Sequence, residues 1–403
     1  MSQSPTDPIA QRLFRLSLGV FFIGGFVASS ISLLMPRVRL TLGLSYTAAT
    51  SIQLASFSSY LLFAAPVAAI VAATGYMRAH AIGLATMAIG CVALIAGLVL
   101  QHYGIILPAL LAIATGATFL QIASNTAVTM VGDPRRAAIR LNLLQGFNSL
   151  GTVAGPALGA TTIVSAKAAT DPTGATLPFA LAALVLAVLA IAFYRHRDLL
   201  RGLPAGSLHM TRTAWRGALG DRRLLAGAGA IFAYVGAEIT IGALLTDFLM
   251  SDHALGWAAG GAAGLVTLYW GGAMAGRFAG AAVMRRLAPA RVLGVAALVA
   301  TALALTAIVV RGPVAAAALL LVGVVNSVMY PTIYVLALPD RPERTAPAAM
   351  LLCIAVVGGA VVPVVTGAMA DRIGLIPALM LPALCYLPIA AFAHYARHPR
   401  PSE

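Results

Sequence analysis

Twelve apolar stretches of about 20 residues each recur along this chain, with hardly a charge inside them. A helix of that length crosses about 30 Å of hydrocarbon, the thickness of a bilayer core. Backbone groups left unpaired in lipid are costly, so such stretches are helices or closed-barrel strands, and their length and lack of alternation select helices. The spans read from the sequence are 13–35, 46–73, 79–100, 104–130, 137–164 and 176–195, then 223–250, 257–285, 289–310, 313–338, 345–368 and 374–396. Only 9% of the 403 residues are charged, whereas a soluble domain needs about 25%. The expected class is an all-α membrane protein with twelve transmembrane helices. The first span has no convincing cleavage site after it and is expected to be retained.

The formal net charge is +14, and its distribution carries more information than its size. Arg12, Arg15, Arg78, Arg135, Arg136, Arg140, the cluster from Arg195 to Arg223, Arg285, Arg286, Arg291, Arg341, Arg344, Arg397 and Arg400 all fall on one side of the span pattern. Arg37, Arg39, Lys167, Arg311 and Arg372 fall on the other, and Arg277 lies inside a span. This is the positive-inside asymmetry, which places both termini in the cytoplasm of a bacterial inner membrane. Such residues orient helices and meet anionic lipid headgroups; a nucleic-acid partner is not expected. Cys91, Cys353 and Cys385 lie within apolar spans, so they read as buried small hydrophobes rather than as a disulfide or metal framework.

Residues 196–222 break the pattern: they are basic, punctuated by Gly and Pro, and too polar to span. They divide the chain into an N-terminal six-helix half, 1–195, and a C-terminal half, 223–403. A basic linker between two such halves is the layout of parallel-repeat transporters. Polar residues fall on the first span (Ser29, Ser30, Ser32), the fourth (Gln121, Ser124, Asn125), the seventh (Tyr234, Glu238) and the tenth (Asn326, Ser327, Tyr330). Helices that carry polar groups must face protein or a wet cavity, while the aliphatic third, sixth, ninth and twelfth spans can face lipid. The fifth span carries Gly151, Gly155 and Gly159, and the eighth Gly272, Gly276 and Gly280. These ladders favour close helix packing, and their places on intermediate helices point to packing across the halves; packing within one half is the alternative.

No phosphate loop, nucleophile with a base, or His/Cys cluster is present, so neither an enzyme nor a resident cofactor or metal is expected. The seven histidines are placed in loops or at span ends, in contact with solvent or headgroups. Glu238 is the single acidic residue well inside a span. A carboxylate there is costly to keep charged, which makes it a candidate for proton exchange; a fixed ion pair with Arg277 on the neighbouring helix explains it equally well. Asn142, Gln145 and Asn148 follow an i, i+3, i+6 course, and Gln121 and Asn125 an i, i+4 course, so each set lies on about one helical face. Amides offer donors and acceptors together, which suits hydroxyl-rich uncharged ligands. Tyr269, Trp270, Tyr330 and Tyr334 can add flat faces against a sugar ring, with Asn326 beside them. Interhelical hydrogen bonding is the plainer role for any one of these amides.

The stretch QIASNTAVTMVGDPRRAAIRLNLLQGFNSLGTVAGPALGA from Gln121 to Ala160 resembles the fucose–galactose–glucose:proton symporter family of the major facilitator superfamily. So do YVGAEITIG around Glu238, YWGGAMAGRFAG from Tyr269, NSVMYPTIYVLAL from Asn326 and LLCIAVVGGAVVP from Leu351. The resemblance implies the major facilitator fold in two six-helix halves and sugar transport by alternating access, often driven by protons or sodium. It also implies that Gln145 and Asn148 help hold the sugar and that Gln121 occupies a coupling position. Two departures stand out. Ser32 replaces the family's Asp, four residues before the proline, Pro36, that ends the first helix, and Asn125-Thr126 replaces an Asn-Pro pair. Ion coupling is then left to Glu238, or the chain is a uniporter. The fifth-span GTVAGPALGA also resembles the antiporter motif of drug exporters, so a proton-linked exporter of amphipathic compounds is the alternative; a non-transporting sensor is a third, from another class. The expected partners are a small solute, a proton or sodium ion, and lipid, with the chain itself a monomer.

Overall fold

The computed structural model describes residues 8–41, 46–162, 175–201, 212–257, 259–339 and 344–398. All regular structure among them is helical. The first six long helices are α1 (Pro8–Thr41), α2 (Tyr46–Thr74), α3 (Tyr76–Val99), α4 (Tyr103–Met130), α5 (Ala137–Thr162) and α6 (Leu177–Arg195). Then come α7 (Arg222–Met250), α8 (Ala259–Val283), α9 (Pro289–Val309), α10 (Pro313–Ala337), α11 (Thr345–Ile373) and α12 (Leu375–Tyr395). Nine of these are long and apolar enough among the described residues to cross a membrane. The other three, α2, α5 and α8, coincide with the remaining spans read from the sequence. A short helix, Arg212–Gly220, lies inside the basic linker. Asp221 follows it as the N-cap of α7, accepting hydrogen bonds from the amides of Arg223 at 2.9 Å and Leu224 at 3.1 Å.

Prolines shape the helices differently from the expectation. Pro36 does not end α1, which continues to Thr41. A proline removes one amide donor, and in a long apolar helix the turns on either side keep the path. In α10 the helix does open, between Asn326 and Met329. Pro331 has no N–H for the carbonyl of Ser327, so one turn loosens just beyond Asn326. α11 tightens into a 3-10 turn over Ala355–Val357 before Gly358. A Cβ on Gly358 would meet the Phe232 carbonyl, so only glycine lets α11 approach α7 this closely.

The chain forms two compact units. One contains Met1–Pro134, Phe147–Trp215 and Asp340–Cys353; the other contains Arg135–Gly146, Arg216–Pro339 and Ile354–Glu403. The first turns of α5 therefore belong with the second unit, and the start of α11 with the first.

Within the first unit, Cβ atoms on Gly151 and Gly155 would meet Phe22 and Ser29 of α1. Within the second, Cβ atoms on Gly272, Gly276 and Gly280 would meet Val324, the Val324 carbonyl and Val328 of α10. These five glycines thus pack inside their own units, correcting the reading of the ladders as contacts across the halves. The side-chain position of Gly159 lies outside the described residues. The reason is geometric: one flat face per helix serves one partner, and α1 and α10 already take it. A third ladder, Gly83, Gly90 and Gly97 on α3, repeats every seven residues and meets Phe119, Ile113 and Ile106 of α4.

The helices expected to face lipid do expose large apolar side chains, such as Ile89 and Val92 on α3, Leu184 and Val188 on α6, Val295 and Leu298 on α9 and Leu387 on α12. Two of them also carry buried polar groups. His80 of α3 has no exposed surface. One ring nitrogen lies 2.6 Å from the Tyr76 carbonyl, the other 2.7 Å from the Ser124 hydroxyl, and the ring stacks on Phe193 at 4.6 Å. This corrects its placement at a solvated span end: α3 begins at Tyr76, so His80 lies a full turn inside it. Tyr386 of α12 is likewise fully buried.

Candidate functional site

In the second unit, the polar and aromatic residues of α7, α8, α10 and α12 converge on Glu238. The carboxylate stands near the middle of α7 and is half-buried. Tyr234, one turn earlier, is buried, with its phenol close to the Glu238 carboxylate. Arg277, half-buried on α8, is the positive charge that acts on that carboxylate. The two residues sit on adjacent packed helices, so a charge in each compensates the other far more cheaply than water-free burial of either alone.

Tyr269 lies behind this pair with no exposed surface. Its hydroxyl accepts a hydrogen bond from Asn326 Nδ2 at 3.0 Å and donates to the Glu238 backbone carbonyl at 3.4 Å. The opened turn after Asn326 leaves that side chain on the last turn of a helix segment, aimed at α8. Tyr386 adds its phenol beside Asn326, and its position is close enough to bear on Glu238. Trp270 is the more accessible neighbour of Tyr269, half-buried, with ring centroids 5.2 Å apart in an edge-to-face arrangement. Tyr330 continues the aromatic surface, 6.5 Å from Tyr234 and 6.2 Å from Tyr334. Asn142 and Gln145 also belong to this unit. Asn142 is fully buried; its Nδ2 donates to the Ala138 carbonyl at 2.9 Å and reaches the Thr332 hydroxyl at 3.5 Å. Gln145 is 8% exposed.

In the first unit, Asn125 Nδ2 donates to Gln121 Oε1 at 2.7 Å, and the Gln121 side chain also hydrogen-bonds Tyr60 of α2. Asn125 is fully buried, Gln121 half-buried. Asn148 is half-buried and donates to the Phe21 carbonyl of α1 at 3.0 Å. Ser32 is exposed and donates to the Ala28 carbonyl one turn back at 3.1 Å. The structure therefore gathers Tyr269, Trp270, Asn326, Tyr330, Glu238 and Arg277 into one cluster and pairs Gln121 with Asn125. Asn142, Asn148 and Ser32 each spend a bond on a backbone carbonyl. Tyr60 and Tyr386 belong to these groups and were not singled out in the sequence, where a lone tyrosine in an aliphatic span carries no pattern. Among the described residues no three His, Cys, Asp or Glu side chains come together in a way that holds a metal ion.

Long apolar helices that carry a half-buried carboxylate, an arginine and clustered amides and tyrosines fit the class of membrane transporters. The chain belongs to the Major Facilitator Superfamily, whose pattern matches residues 16–350. It is 39% identical over 381 residues to a glucose/galactose transporter of Brucella abortus biovar 1 (strain 9-941), covering 93% of this chain and 91% of that protein. It is 28% identical over 414 residues to the L-fucose-proton symporter of Escherichia coli (strain K12), covering 95% of this chain and 92% of the symporter. Among solved structures it superposes on FucP, a superfamily transporter in the outward conformation, with a TM-score of 0.84 at 25% identity, over 96% of this chain and 99% of that one.

Proposed function

We propose that this chain is a secondary transporter moving a hexose or hexose-like polar solute across a bacterial inner membrane, with both termini cytoplasmic, and that Glu238 couples this movement to a proton gradient. Alternating access of the two six-helix halves, 1–195 and 223–403, joined by the basic segment 196–222, is the proposed mode. The observation that carries the coupling is the carboxylate of Glu238 near the middle of an apolar helix, with the Arg277 cation acting on it and tyrosines beside it. A proton taken up by Glu238 releases Arg277 from its counter-charge, and a charge rearrangement of that kind can bias a two-state transporter. The Brucella relative is named for glucose and galactose, and the Escherichia coli relative for fucose and protons. Trp270 and Tyr330 supply apolar faces for a sugar ring, and Gln121, Asn125, Gln145 and Asn148 supply amides for its hydroxyls.

Uniport is the second reading. Ser32 and Gln121 are neutral, and Ser32 bonds within its own helix to the Ala28 carbonyl, so an Arg277-paired Glu238 would leave the two family coupling positions without a titrating group. Glu238→Gln in proteoliposomes separates the two. Loss of proton-driven galactose accumulation, with counterflow remaining, supports symport; wild-type protein that equilibrates galactose without ever accumulating it supports uniport.

A further inference from the structure

Two consecutive residues of α8 engage the two ends of a single helical hydrogen bond of α7. In a regular α-helix the carbonyl of residue 238 pairs with the amide of residue 242. The Tyr269 hydroxyl donates to the Glu238 carbonyl at 3.4 Å. The next side chain, Trp270, lies over Gly242, where a Cβ would come within 2.8 Å of ring atom Cζ2. The residue at 242 must therefore be small for the indole to rest there. Tyr269 and Trp270 also touch each other edge to face at 5.2 Å, so movement of one ring displaces the other. Asn326 Nδ2, donating at 3.0 Å, fixes the phenol so that its one proton is directed to α7.

We propose that Tyr269 is a positioning residue that links the solute-contacting face of Trp270 to the turn of α7 bearing Glu238. A sugar ring pressed on the half-exposed indole shifts Trp270 against Gly242 and, through the Tyr269 ring, changes the pull of the phenol on the Glu238 carbonyl. The turn then reorients the carboxylate relative to Arg277. Tyr269 itself, fully buried behind Trp270, reaches no solute in this arrangement. This inference rests on the proposed role of Glu238 and adds the route by which occupancy of the solute face reaches it.

The test uses full-length protein in proteoliposomes with labelled galactose, comparing wild type, Tyr269→Phe, Gly242→Ala and Glu238→Gln. Tyr269→Phe keeps the ring and its contact with Trp270 but removes the hydroxyl. It is expected to lower proton-driven accumulation relative to counterflow by about fivefold, the factor that one net hydrogen bond represents. Gly242→Ala pushes the indole away from α7 and is expected to raise the KM for counterflow and to lower the accumulation ratio as well. Elution as a monodisperse peak in detergent confirms that each variant is folded. Wild-type accumulation by Tyr269→Phe overturns the inference, as does a proportionate fall of accumulation and counterflow, which would make the hydroxyl a solute ligand or a packing element. If Glu238→Gln accumulates galactose like wild type, the coupling role of Glu238 fails and this inference falls with it. If Glu238→Gln is uncoupled and both other variants are not, the inference alone fails.

Discussion

Asn125 donates to Gln121 across one turn of α4 at 2.7 Å, and Gln121 in turn bonds Tyr60 of α2. The amide of Gln121 thus has two partners, one on its own helix and one on α2, which restrict its orientation before a ligand arrives. Gln121→Ala removes its contacts with both Tyr60 and Asn125. We expect the KM for galactose counterflow to rise about tenfold, the scale of one well-placed polar contact. An unchanged KM would place this pair in helix packing alone.

The two amides at either end of the α5 course should behave differently. Asn142, buried and bonded to Ala138 and Thr332, should act through stability: Asn142→Ala is expected to cost about 1–2 kcal/mol in thermal unfolding with little effect on KM. Gln145→Ala is expected to raise KM with little loss of folded protein. Reversal of that pattern, measured by thermal shift and counterflow on the same preparations, would exchange their roles.

Neighbouring glycines on α8 provide a sharper test of packing. A Cβ on Gly276 would meet the Val324 carbonyl and the Ser327 hydroxyl, whereas one on Gly271 would meet nothing within 4 Å. Gly276→Ala should force α8 away from α10 and destabilise by about 1–3 kcal/mol, as overpacking does. Gly271→Ala should be neutral or slightly stabilising, because alanine favours the helix by up to about 1 kcal/mol. Equal melting temperatures for the two variants would contradict the close approach of α8 and α10.

His80 and Ser124 form a buried polar contact that ties α3 to α4. The Tyr76 carbonyl can only accept, so the His80 nitrogen facing it carries the proton and the other nitrogen, in the neutral ring, accepts from Ser124. Ser124→Ala leaves that nitrogen buried without its donor and should cost about 1–3 kcal/mol. Ser124→Thr, which restores a hydroxyl, should recover part of it. Identical melting of Ser124→Ala and wild type would show that the pair carries no stability.

The membrane class, the twelve spans and the prominence of Glu238 were legible because the cost of polar groups in lipid is written directly into residue type and spacing. Tyr269, Trp270, Asn326, Tyr330 and Arg277 were identified the same way, as polar or aromatic interruptions of aliphatic runs. What the sequence hid depends on partners distant in the chain. A glycine ladder announces a close neighbour without saying which one, and Gly272, Gly276 and Gly280 turned out to face α10. Nothing local distinguishes Tyr386, bearing on Asn326, from a tyrosine at a lipid headgroup. His80 was misplaced by a shift of a few residues in where α3 begins, which carried it from the membrane edge into the interior. Pro36 suggested a helix end, whereas α1 continues through it, because one missing bond is tolerated where the flanking turns stay intact.

The account stands or falls on galactose movement by the purified chain and its dependence on Glu238. The direct measurement is uptake of labelled galactose into proteoliposomes under an inward proton gradient, for wild type and Glu238→Gln side by side, with counterflow as the reference. The prediction is accumulation above equilibrium by wild type, competed by glucose, and equilibration without accumulation by Glu238→Gln. Absence of galactose counterflow in wild type would contradict the transport of hexoses, and equal accumulation by both proteins would contradict the role of Glu238.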